Sequence, residues 1–230
     1  MEQKSMTALI SAFSRAYHSL NKEVTIFNDS VARQLLTDEE YHQIAQSMSD
    51  GINFFKPNFV GNSREALSWI VDNQLSPSPL ERAGYAEKSL ERAVQIGAKQ
   101  YLIFGAGYDT FAYRQPSWAE TLKIFEIDHP ATASDKQERL KKANLIISDN
   151  VHYIEADFIK ESWEEALLNH DGFDSSKISC ITILGVAYYL SKQTFETLIS
   201  VISHIVPKGS SIIFDYPDEN SYTEKAVERA

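Results

Sequence analysis

The hydrophobic rhythm of the chain changes near residue 97. Before that point apolar positions recur at helical spacing. Met6, Leu9, Ile10, Phe13, Ala16, Tyr17 and Leu20 form one stripe, which predicts a first helix. A second helix is expected from Asp29 or Ser30. A third opens on "TDEE", where Thr37 can accept from the backbone at Glu40 and Glu40 can reach back, a capping box. Tyr41, Ile44, Ala45 and Met48 give that helix its apolar face. "DGINFFKPNFVGN" reads as a turn-rich connector with three phenylalanines, and "SREALSWIVDNQL" as a helix capped by Ser63. In "SPSPLERAGYAEKSLERAVQIGAKQ", Ser78, Pro79 and Glu81 mark a helix start, and Gly97 marks its end.

Beyond Gly97, short apolar runs alternate with polar, helix-like segments. The runs are "QYLIFG", "LKIFEID", "VHYIEAD", "ISCITILG" and "SSIIFDY"; helices are expected near 109–119, 131–147, 160–170 and 192–206. Nearly continuous apolar strands separated by helices predict a parallel sheet covered on both faces. The expected fold is α/β: a helical N-terminal cap over residues 1–96, then a Rossmann-like part over 97–230. One or two further strands would ordinarily follow the fifth run, so the sheet is expected to lack its C-terminal strands.

Candidate chemistry gathers at three strand ends. After the first run, Gly105, Ala106 and Gly107 make a turn that a ligand can approach closely. The second run ends in acid. Asp128 lies 21 residues beyond Gly107, the spacing of a carboxylate that accepts from ribose hydroxyls. Glu126 points to the same side of the strand, with Asp128 favoured because it stands at the tip. The third run ends at Asp157, which can accept from an exocyclic adenine amine, while the backbone N–H of Phe158 can serve a ring nitrogen. A dinucleotide fingerprint would want a glycine where Thr110 stands. Asp109 would repel a pyrophosphate but tolerate a cationic nucleoside; its other reading is a helix cap.

Charge and composition narrow the classes. The 230 residues carry a net charge of −10, and the basic residues of "ERLKKANL" are interrupted by acids, so no nucleic-acid partner is expected. The single cysteine, Cys180, excludes an internal disulfide and a cysteine zinc site; in its apolar run it reads as a buried, inert thiol, and no metal is expected. "MEQKSMTALI" shows no signal-peptide pattern and "ISCITILGVAYYL" is too short to span a bilayer, so a cytoplasmic protein without a membrane partner is expected.

"FGAGYDTFAYR", "FEIDHPATASDK" and "GVAYYL", with the leading "AFSRAYH…IFNDSVA" and "ERAGYAEKSLERAV", resemble the leucine carboxyl methyltransferase superfamily of class I methyltransferases, including its bacterial polyketide O-methyltransferases. The resemblance implies S-adenosylmethionine as methyl donor. It implies the glycine turn beneath the methionine part, Asp128 on the ribose, and Asp157 and Phe158 on the adenine. Arg82 of "PLERAGY" matches the arginine that holds the methionine carboxylate. The N-terminal helix would lid the acceptor site, and His18 on it reads as a surface histidine. Much of the family has a glutamate where this chain has Leu184.

A carboxylate acceptor is already ionised and needs no general base; a hydroxyl acceptor calls for one, with Tyr188 and His129 as the catalytic candidates and Tyr189 beside them. Tyr188 and Tyr189 also read as pocket or packing aromatics, and His129 as a turn residue. The leading expectation is an O-methyltransferase acting on a small-molecule carboxylate or hydroxyl. The alternatives are a non-catalytic adenosyl-ligand-binding or scaffold protein that keeps the fold and, opposed by Thr110 and Asp109, a nicotinamide-dependent oxidoreductase.

Overall fold

The computed structural model describes residues 5–21, 26–157 and 163–217. The chain forms two compact units, Met6–Gly84 and Tyr85–Tyr216, and the division falls inside one helix, α5 (Pro77–Gln95).

The Met6–Gly84 unit is helical. Its helices are α1 (Met6–Asn21), α2 (Asp38–Asp50), α3 (Ile52–Phe55) and α4 (Ser63–Ile70), with a 3-10 turn at Ala32–Leu35. The predicted stripe on α1 buries Leu9, Phe13, Ala16 and Tyr17, while its outer members Met6 and Leu20 are both 61% exposed. The second predicted helix shrinks to the 3-10 turn because Asp29 bonds locally. Its Oδ1 accepts from the N–H groups of Val31 and Ala32, and its Oδ2 pairs with buried Arg15 at 2.8 Å. His18 is not on the surface as expected; it is 5% exposed and its Nε2 accepts from the Ile26 N–H at 3.0 Å.

The capping box of Thr37 and Glu40 forms at the start of α2. At α4 the cap is Asn62 rather than Ser63, with Glu65 closing a second box. An amide oxygen one residue earlier outcompetes the serine because it reaches two N–H groups, those of Arg64 and Glu65. Helix α5 likewise starts before the expected Ser78, with Pro77 in its first turn and the Leu80 N–H bonded to the Ser76 carbonyl. It ends as the sequence predicts. Gly97 has φ +114° and donates to Val94, and Ala98 donates to Ala93, the two bonds of a Schellman motif.

The Tyr85–Tyr216 unit holds a five-stranded parallel sheet: β1 (Gln100–Phe104), β2 (Lys123–Asp128), β3 (Val151–Glu155), β4 (Ser179–Ile183) and β5 (Ser211–Phe214), in the order β3-β2-β1-β4-β5. Every predicted run is a strand. Alternate residues feed two cores. Tyr101, Ile103 and Ile124 pack with Leu90 and Ala93 of α5 on one face. Leu102, Phe104, Phe125 and Ile181 pack on the other with α7 (Trp163–Leu168) and α8 (Lys192–Ile205). Helix α6 (Pro130–Lys142) follows β2 and is tied to it by the Lys136–Glu126 pair. The helix expected at 109–119 is instead two 3-10 turns, Phe111–Tyr113 and Ser117–Ala119. Pro116 lies between them and cannot donate to a continuous helix.

Candidate donor site at the carboxyl edge of the sheet

The strand order reverses between β1 and β4. In an open parallel sheet this switch opens a crevice at the carboxyl ends of the strands. The loop after β1 enters it in left-handed backbone, with φ +67° at Gly105 and +50° at Gly107. The reason for glycine at position 105 is not only ligand approach. A Cβ there would stand 2.3 Å from Cγ2 of Val186, in the loop after β4. Gly105 therefore lets the two loops that border the crevice meet, while its N–H is held by the Ile127 carbonyl at 2.8 Å.

Asp128 occupies the tip of β2 and is half-buried. Its Oδ2 accepts from the Gly107 N–H at 2.5 Å, and its Oδ1 from the His129 N–H at 2.6 Å. Burial pushes its carboxyl above the ordinary aspartate range, and these two backbone donors partly offset the rise. An ionised carboxylate has about four lone-pair positions, so two backbone donors leave room for a pair of hydroxyl donors.

Glu126, the other acid on that side, does a different job. It is 3% exposed; its Oε2 lies 2.7 Å from Lys136 Nζ and accepts from Tyr113 Oη at 3.0 Å. Burial raises its carboxyl despite Lys136, and buried among these partners it serves the interior rather than the crevice.

Asp109 bonds locally rather than as a helix cap: its Oδ1 accepts from the Phe111 N–H at 2.8 Å, and Thr110 is the N-cap of the turn that follows. It leads into the single 3-10 turn at Phe111–Tyr113, not into a helix aimed at the crevice. The helix N-terminus that binds a pyrophosphate in dinucleotide folds is therefore missing from this loop. Arg114 is engaged behind it, donating through Nε to Thr110 Oγ1 at 2.9 Å and through Nη1 to Glu87 Oε2 at 3.1 Å.

Asp157 lies just beyond β3, half-buried, and the neighbouring Ala156 N–H bonds to the Asp128 carbonyl at 2.9 Å. The tips of β1, β2 and β3 are thus joined through Gly107, Asp128 and Ala156. Phe158 lies outside the described residues. Arg82 lies on α5 within the Met6–Gly84 unit. His129 is the N-cap of α6, its Nδ1 accepting from the Ala131 N–H at 3.3 Å, in keeping with the turn reading. Tyr188 is 46% exposed in the loop after β4 and donates its hydroxyl to Asp215 Oδ2 at 3.1 Å. Cys180 is fully buried and burial raises its thiol, as expected of an inert cysteine.

Asp215 escaped the sequence reading. It lies directly after β5, and its Oδ1 accepts from the Gly185 N–H at 2.6 Å. The signal was present in "IIFDY", an apolar run closed by an acid, as in the second and third strands.

The residues fit an adenosyl sulfonium donor on three counts. The left-handed turn presents backbone, the tip carboxylate can receive a diol, and the acids of this edge (Asp109, Asp128, Asp157 and Asp215) suit a cation better than a pyrophosphate.

Comparison with known proteins shows the family to which the chain belongs. The sequence profile described as leucine carboxyl methyltransferase matches residues 8–203. A Bacillus subtilis protein, YktD, named as an S-adenosyl-L-methionine-dependent methyltransferase, is 42% identical over 229 residues, covering 98% of this chain and 75% of its own. A Parafrankia protein of the same designation is 25% identical, covering 97% of this chain and 66% of its own. The chain therefore spans three quarters of the length of the first relative and about two thirds of the second. A crystal structure from Thermobifida fusca, titled as a methyltransferase, has 18% identity and a TM-score of 0.48 over 80% of this chain and 70% of its own. With the profile matched over most of its length, the chain belongs to the leucine carboxyl methyltransferase family, a family of S-adenosylmethionine-dependent methyltransferases.

Proposed function

We propose that the chain is an O-methyltransferase that takes S-adenosylmethionine as donor and a small-molecule carboxylate or hydroxyl as acceptor. The observation that carries the donor side is the half-buried Asp128 carboxylate, locked to the Gly107 N–H at the tip of β2. In this reading Asp128 accepts from the two ribose hydroxyls. The Gly105–Ala106–Gly107 turn runs beneath the methionine part, and Asp157 with the Phe158 backbone receives the adenine. Arg82 is assigned to the methionine carboxylate by its match to the family arginine alone.

The bound donor supplies a methyl carbon made electrophilic by its positively charged sulfur. The chain's own contribution is alignment and the exclusion of water. A carboxylate acceptor arrives ionised and requires only to be held in line. A hydroxyl acceptor must lose a proton. Tyr188 is then the better placed of the two candidates: as its oxygen takes the acceptor's proton, its own proton can pass to the Asp215 carboxylate to which it donates. His129 is already employed as a helix cap through Nδ1.

The test is transfer of tritium from methyl-labelled S-adenosylmethionine into a small-molecule extract. We expect label on oxygen: either methyl ester that alkali releases as methanol, or ether that withstands alkali and yields methyl iodide in hot hydriodic acid. Binding of the donor with no transferred label would favour the non-catalytic alternative.

A further inference from the structure

We propose that Asp215 is a positioning residue for the donor site, acting through the loop after β4. The proposal rests on the reading of the β1–β4 edge as the donor site and adds a residue to it.

The edge is symmetric about the switch point. On one side, Asp128 at the end of β2 reaches across to β1's loop and holds the N–H of Gly107, at φ +50°. On the other, Asp215 at the end of β5 reaches across to β4's loop and holds the N–H of Gly185, at φ +69°. β2 and β5, which flank the β1–β4 pair, each deliver one carboxylate to a left-handed glycine in the loop after the strand beside them. The two bonds are alike in length, 2.5 and 2.6 Å. Charge-assisted bonds of this kind are about twice as strong as neutral ones.

Asp215 holds its loop at a second point, accepting the Tyr188 hydroxyl at 3.1 Å. Gly185 and Tyr188 bracket Val186, the residue that leaves no room for a Cβ on Gly105. The path is therefore short: the Asp215 carboxylate fixes the Gly185–Tyr188 loop, the loop seats Val186, and Val186 bears on the turn assigned to the donor. Removing the carboxylate takes away the acceptor of these two hydrogen bonds and lets Val186 drift from Gly105.

The experiment measures affinity for S-adenosylhomocysteine by calorimetry in wild type, Asp215→Ala, Asp215→Asn, Val186→Ala and the Asp215→Ala/Val186→Ala double variant. The amide resonances of Gly105 and Gly185 are followed by NMR in the ligand-free proteins. We expect Asp215→Ala to weaken binding about tenfold or more, the scale of one charge-assisted hydrogen bond. Asp215→Asn keeps a carbonyl oxygen for Gly185 and should recover most of that loss. In a Val186→Ala background the loss should shrink, because the path is already cut. In the ligand-free Asp215→Ala protein both resonances should move.

Wild-type affinity in a folded Asp215→Ala protein, with an unmoved Gly105 resonance, would overturn the proposal. Should Asp215→Ala not fold, Val186→Ala decides, because it cuts the same path at its contact with Gly105: wild-type affinity and an unmoved Gly105 resonance in that variant would overturn the proposal equally. A wild-type protein that ignores S-adenosylhomocysteine while Gly105 still responds to Asp215 would instead refute the donor reading and leave the mechanical link standing.

Discussion

Asp128 accepts two hydrogen bonds from backbone N–H groups and sits in a half-buried position that raises its pKa. Two pH dependences result, and they run in opposite directions. The folded chain keeps the Asp128 proton to higher pH than the unfolded chain, whose carboxyl titrates near 3.8. The native state thus binds more protons across the window that opens there. The stability contributed by this group is complete below the unfolded value and is lost as pH rises through the folded value.

Ligand affinity should move the other way, because the ionised carboxylate is the better acceptor for a diol. S-adenosylhomocysteine binding should therefore strengthen as pH rises through the same window. Asp128→Asn should flatten both trends, and Asp128→Ala should weaken binding at neutral pH by roughly 1.5–3 kcal/mol. Calorimetry across roughly pH 4–7, with denaturant melts at each pH, reads both. A folded Asp128→Ala with unchanged affinity would remove the residue from the site.

At the scale of elements, the buried Glu126–Lys136 pair is the bond that fastens α6 to β2. Both side chains are 2% exposed. Lys136→Met should strand an unpaired carboxylate in the interior and cost about 3–5 kcal/mol, whereas replacing both partners with apolar residues should cost much less. Urea unfolding of the single and double variants checks this; a single-variant loss below about 1 kcal/mol would show that the pair does not bear on stability.

Elements were legible in the sequence where the signal is local. The capping box at Thr37, the glycine end of α5 and all five apolar strands are set by neighbours a few residues apart. Reading failed where the deciding partner is elsewhere in the fold or where two local caps compete. Glu126 and Asp128 share a side of β2, and only Lys136 and Tyr113, brought in by later and earlier segments, separate their roles. Gly105 carried a ligand signal, but Val186, 81 residues on, imposes its own need for a missing Cβ. His18 looked like a surface histidine because nothing nearby shows that Ile26 will turn back to bond it. Asp29 and Asn62 displaced predicted helix starts by bonding backbone N–H groups next to them.

For the whole molecule, strand order and charge decide which nucleotide the crevice accepts. The β1–β4 switch supplies the crevice, and the turn at its mouth leads into a 3-10 turn instead of a helix N-terminus. Acids stand at its rim in a chain of net charge −10. The 3-10 turn and the acids disfavour a pyrophosphate and admit an adenosyl sulfonium, in agreement with family membership. No described helix is long and apolar enough to cross a membrane. The decisive measurement is a calorimetric titration of the wild-type chain with S-adenosylhomocysteine, run beside one with NAD. We expect saturable binding of the first, with a dissociation constant on the order of micromolar or about −8 kcal/mol, and none of the second. Binding of NAD, or of neither, would contradict the adenosyl-donor reading of this edge.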